Sequence, residues 1–124
     1  MTTHYRQIGG EAGIQRLVDR FYDLMDERAD LAELRAMHAK DLKGSREKLF
    51  LFLSGWLGGP QLYKEKHGQP RLRQSHMPFA IGDAERDQWM SCMIQALEDV
   101  GIEKGLRAEL TKAFGNVASF MRNK

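Results

Sequence analysis

Cysteine is almost absent from this sequence. Cys92 is the single one in 124 residues, so no disulfide can form within the chain. One thiol and four scattered histidines also leave a four-ligand structural zinc site without its donors. A reducing, cytoplasmic setting is the expectation. No sign of charge dominates: 19 Lys and Arg against 17 Asp and Glu leave a formal +2, too little on its own to imply nucleic acid. Long apolar runs are missing too. The longest, "LFLFLSGWLGG" at 49–59, holds three glycines and falls far short of the ~20 residues a bilayer span needs, so no membrane partner is expected. The opening "MTTHYRQIGG" lacks the basic-then-apolar order of a signal peptide, and none is expected. There is no Ser-His-Asp order with a nucleophile elbow, and "IGGEAG" at 8–13 follows no strand, so it does not read as a phosphate-binding loop.

What is present is helical periodicity. Hydrophobic residues at 42% and charged residues at 29% describe an ordinary globular chain, and the length fits one domain over 1–124. Ile14, Leu17, Val18, Phe21, Leu24 and Met25 recur at three and four, with Tyr22 at the edge of that face. The stretch "LAELRAMHAKDL" is irregular, a short turn or helix plus loop. A second long helix is expected from Gly44–Ser45, apolar almost all round from Leu49 and ended by "GGP" at 58–60. Asp83 is the expected N-cap of a third, with Trp89, Met93, Ala96, Leu97 and Val100 on one face. The last runs over roughly 103–122, with Leu106, Leu110, Ala113, Phe114, Val117 and Met121 in register. No long alternating run occurs, so the fold class is all-α.

Between these helices lies "QLYKEKHGQPRLRQSHMPF", polar and broken by Gly68, Pro70 and Pro78. About two turns of helix fit between Pro70 and His76, with Pro70 in the first turn. So long an irregular segment in a small helical domain is more often functional than idle. His4 is expected in a frayed terminus and His67 in a solvated loop, whereas His76 ends a stopped helix flanked by Leu72 and Phe79. Cys92, between Trp89 and Met93, reads as a small buried hydrophobe.

Four motifs in fixed order then carry a resemblance: "YRQIGGEAGIQRLVDRFY", "FLSGWLGGPQLY", "HGQPRLRQSHMPF" and "ERDQWMSCM". Over nearly its whole length the chain resembles the group II, or O-type, truncated haemoglobins. The resemblance implies a two-on-two helical sandwich around haem b, with His76 as the iron ligand. It implies Tyr22 and Trp89 as hydrogen-bond donors on the opposite, distal side. The family has Phe or Tyr near the end of the first interhelical loop; here His38 aligns there, or Met37 if the alignment shifts by one. His38 would add a titratable donor and a candidate sixth ligand to ferric iron. Ser45 falls where many globins have a distal histidine, which implies an open gate. Leu49, Phe52, Leu53, Trp56, Phe79, Met93 and Val117 are the expected apolar haem wall. Lys48, Tyr63 and Arg73 are the expected partners of the propionates.

The implied function is binding of dioxygen and other diatomic ligands such as NO and CO. Several distal donors would slow release, which favours a redox role in NO or peroxide detoxification over bulk delivery. Lacking a flavin or nicotinamide motif, the sequence implies an external electron donor for any turnover as an NO dioxygenase or peroxidase. A monomer or weak homodimer is expected. The competing reading is a haem-free helical module that binds nucleic acid or an acidic partner through Lys64, Lys66, Arg71 and Arg73 in the basic 64–73 loop.

Overall fold

The computed structural model describes residues 3–124. Its helices, in chain order, are α1 (His4–Gln7), α2 (Gly10–Glu27), α3 (Ala32–Ala36), α4 (Lys43–Trp56), α5 (Leu62–His67), α6 (Leu72–His76), α7 (Asp83–Asp99) and α8 (Lys104–Phe120). A 3₁₀ turn, Ala29–Leu31, leads into α3. Among the described residues there is no strand. Helix α2 packs on α4 and α7, and α7 packs on α8, giving the two-on-two sandwich.

The core follows from the spacing. On α2, Ile14, Leu17, Val18, Phe21 and Met25 are almost wholly buried, and they meet Leu53 of α4, Met93, Ala96 and Leu97 of α7, and Leu110 of α8. Gly13 is a packing requirement at the corner between α1 and α2: a Cβ there would stand 1.9 Å from the Ile8 carbonyl oxygen. The Cys92 Sγ–H donates to the Phe21 carbonyl at 3.1 Å, which ties α7 to α2 at full burial. Cys92 is the small buried hydrophobe its place between Trp89 and Met93 suggests, and burial pushes its thiol up to about 12.

Several local expectations need correcting. Helix α4 starts one residue early, at Lys43, where the Asp41 carboxylate accepts from the Lys43 N–H at 2.9 Å. Gly82, not Asp83, caps α7; the Glu85 carboxylate accepts from the Gly82 N–H at 2.7 Å, and Asp83 pairs instead with Arg122. Pro70 lies before α6 rather than in its first turn, because Arg71 is the N-cap. The broken middle holds two short helices, α5 and α6, and His67 closes α5. His4 is not frayed: it opens α1, and its Nε2 lies 3.1 Å from the Glu109 carboxylate on α8.

Candidate functional site

A cavity of about 440 Å³ opens between α4, α6, α7 and α8, within the size range of small-molecule and cofactor sites. Its walls are built by periodicity. Lys48, Leu49, Phe52, Leu53 and Trp56 come from successive turns of α4. Phe114, Val117, Ala118 and Met121 come from α8 and the residue after it, at the three-and-four spacing of one helix face. The Trp56 and Phe114 rings lie 4.9 Å apart and those of Trp89 and Phe114 5.7 Å apart, so aromatic faces line one end of the cavity.

His76 stands in this wall from the end of α6. Its Nδ1 is 2.6 Å from the Leu72 carbonyl oxygen. A carbonyl only accepts, so Nδ1 carries a proton, and in the neutral ring Nε2 keeps its lone pair. That is the protonation pattern of a metal-ligating imidazole with its second nitrogen fixed by the backbone. No group of three or more His, Cys, Asp or Glu capable of holding a metal ion exists among the described residues.

Tyr22, His38, Ser45 and Trp89 line the same cavity. Tyr22 is buried, and desolvation raises its pKa strongly, against a smaller opposing effect from Arg46, so the phenol is neutral at any ordinary pH. Neither the Tyr22 hydroxyl nor the Trp89 indole N–H has a protein partner among the described residues. Among the described residues every buried side-chain polar atom has a partner, so these two tips are not sealed in and reach the open space of the cavity. The Tyr22 ring is held edge-on to Phe21, centroids 5.0 Å apart, with the Arg46 guanidinium 5.9 Å from its centroid. Arg46 is itself anchored to Asp19 and Asp23 of α2 at 3.2 and 2.8 Å.

His38 and Met37 both line the cavity, so the one-residue ambiguity in the sequence does not decide between them. The His38 ring lies 6.0 Å from that of Tyr22, and its Nδ1 donates to the Leu34 carbonyl at 2.9 Å. Burial lowers its pKa below 6.5, which favours the neutral ring. In that tautomer Nε2 accepts; it becomes a donor only on protonation.

Lys48 and Tyr63 stand in the cavity wall, as does Phe79. Arg73 does not: its guanidinium turns to the Met77 sulfur at 3.9 Å and the Arg122 carbonyl at 3.5 Å. Met93 does not either. One turn beyond Trp89, about 6 Å along α7, the helix has left the cavity and buries Met93 completely in the core. Sequence reading missed Arg86, which lines the cavity while paired with Asp83 and Asp87, and also Leu72, Ile81 and Met121. For Met121 the signal existed, since it follows Phe114 and Val117 on one face; for Arg86 an acidic first turn concealed it.

The residues fit a haem: a largely apolar cavity between helices, one imidazole with an uncommitted nitrogen, unpartnered O–H and N–H donors, and Lys48 in the wall as countercharge for a carboxylate. The exposed basic segment competes weakly, because Lys66 is paired with Glu47 and Arg73 is engaged within the fold.

Comparison with known proteins supports this fit. The sequence profile described as bacterial-like globin matches residues 3–123. The group 2 truncated hemoglobin YjbI of Bacillus subtilis is 41% identical over 103 residues, 83% of this chain and 75% of that protein. The cold-adapted truncated hemoglobin of the Antarctic marine bacterium Pseudoalteromonas haloplanktis superposes with a TM-score of 0.96 at 46% identity, over 99% of each chain. The group II 2-on-2 hemoglobin of the plant pathogen Agrobacterium tumefaciens gives 0.95 at 41% identity, over 99% of this chain and 95% of that one.

Proposed function

Since this chain belongs to the bacterial-like globin family, as a group II truncated haemoglobin that binds haem b and dioxygen, we propose that His76 ligates the iron and that Tyr22, Trp89 and His38 act on the bound ligand. When bound, the haem supplies an iron that takes dioxygen, NO or CO and exchanges single electrons. The protein supplies orientation and charge stabilisation. His76 presents Nε2 because Nδ1–H is committed to the Leu72 carbonyl. Tyr22 and Trp89 line the cavity with an O–H and an N–H that have no partner among the described residues, and these would stabilise negative charge on a bound ligand. Neutral His38 offers Nε2 as an acceptor for a proton released in the pocket.

The observation that carries this reading is the convergence, on one apolar cavity, of a histidine with a free nitrogen and two unpartnered donors. Two donors slow ligand release, which supports a redox role, removal of NO or peroxide with electrons from an external donor, over oxygen delivery. Lys48 and Tyr63 line the cavity and would meet the propionates. The test is an absorption spectrum of the haem-reconstituted protein, ferric and dithionite-reduced, for the wild type and His76→Ala. A Soret band whose ligation changes in His76→Ala is the expected result. An unchanged axial ligand would overturn the assignment, and no Soret band at all would return attention to the basic 64–73 segment.

A further inference from the structure

His76 sits on a five-residue helix that packs broadly against none of the long helices. Arg73, Gln74 and Ser75 are exposed, and so are Met77, Pro78, Phe79 and Ala80 that follow. A segment with so few packed contacts opens locally at little cost unless something else restrains it. The restraint is Asn123. Its Nδ2 donates to the Phe79 carbonyl at 2.7 Å and to the His76 carbonyl at 3.3 Å. Its Oδ1 accepts from the Ile81 N–H at 2.9 Å, and its own backbone N–H donates to the Ile81 carbonyl at 2.8 Å. One half-buried residue thus ties down the backbone of 76–81 by hydrogen bonds at three points.

We propose that Asn123 is a positioning residue for His76, holding the ligand-bearing backbone against the end of α8; the proposal rests on His76 as the iron ligand. The chemistry is specific to an amide, since the carbonyls of His76 and Phe79 need a donor while the N–H of Ile81 needs an acceptor. Aspartate keeps the acceptor and loses both donations. Arg122, next in sequence, reaches Asp83 at 2.8 Å and touches none of these groups with its side chain, so Arg122→Ala reports general loosening of the tail.

The test compares haem-loaded wild type, Asn123→Ala, Asn123→Asp, Arg122→Ala and His76→Ala by two readouts. One is the iron–histidine stretching band of the ferrous protein in resonance Raman. The other is the rate of haem transfer to excess apomyoglobin. Expected are a broadened or shifted band and roughly three- to tenfold faster haem loss in both Asn123 variants, with Arg122→Ala near wild type. Unchanged band and rate in both Asn123 variants would overturn the tether while leaving His76 as ligand. Equal effects in Arg122→Ala would assign the restraint to the tail as a whole and overturn Asn123's part. A His76→Ala band identical to wild type would overturn the ligand assignment itself.

Discussion

Tyr22 shows what one residue can do here that composition hides. Buried among apolar side chains, its hydroxyl costs desolvation with no protein partner in return, and is retained where the open cavity receives it. Tyr22→Phe should release bound dioxygen faster, by roughly ten- to a hundredfold if one hydrogen bond to a charged acceptor is lost, as measured by stopped-flow displacement. It should barely change the melting temperature. His38 carries a pH dependence of definite sign. Its folded pKa lies below 6.5, so the unfolded chain takes up the proton first. Its contribution to stability is therefore fully present above that value, declines as pH falls through 6.5 toward the lowered folded value, and is flat below. Thermal melts between pH 7.5 and 5.5 should show a steeper fall for the wild type than for His38→Phe; parallel curves would refute the neutral, half-buried imidazole. Arg73 shows the limit of reasoning by charge and position. It sits on the expected helix, yet the Arg122 carbonyl and the Met77 sulfur take its guanidinium, and only coordinates reveal such long-range competition.

Helices that bury a face announce themselves in sequence, and those that do not stay hidden. Helix α2 puts Ile14, Leu17, Val18, Phe21 and Met25 on one stripe, and its course is legible from that spacing alone. The same holds for α8 through Leu106, Leu110 and Phe114. Helices α5 and α6 bury no residue, so their pattern is that of a polar loop, and the helix that presents His76 is legible through the prolines that bracket it, Pro70 and Pro78, and through the family motif. The cavity was half legible. Leu49, Phe52 and Trp56 look like any apolar helix face, and what separates them from Met93 is how far along α7 the slot extends, a property of packing between helices. The tight corner at Gly13 can be tested at this scale. Gly13→Ala must push α1 away from α2, since the Ile8 carbonyl cannot yield as a side chain would, and should cost about 2–3 kcal/mol in denaturant unfolding.

Taken whole, the molecule is a helical shell around an apolar slot of about 440 Å³. Without its cofactor such a shell forgoes contacts across the slot, and binding restores them by mass action. Haem at about a thousand times its dissociation constant should raise stability by about 4 kcal/mol, or roughly 10–20 °C in melting temperature for a chain of this size. Differential scanning calorimetry of the haem-free and loaded forms measures this directly, and equal melting temperatures would contradict a slot built for the group. Buried on α7 where that helix meets α2, Cys92 gives the chain a gauge of core opening. The thiol is sealed between α7 and the Phe21 carbonyl, so an alkylating reagent can reach it only when those two helices part. Under rapid reclosing, the labelling rate reports the equilibrium fraction of molecules whose core stands open, and the sole cysteine reports that fraction undiluted by any other site.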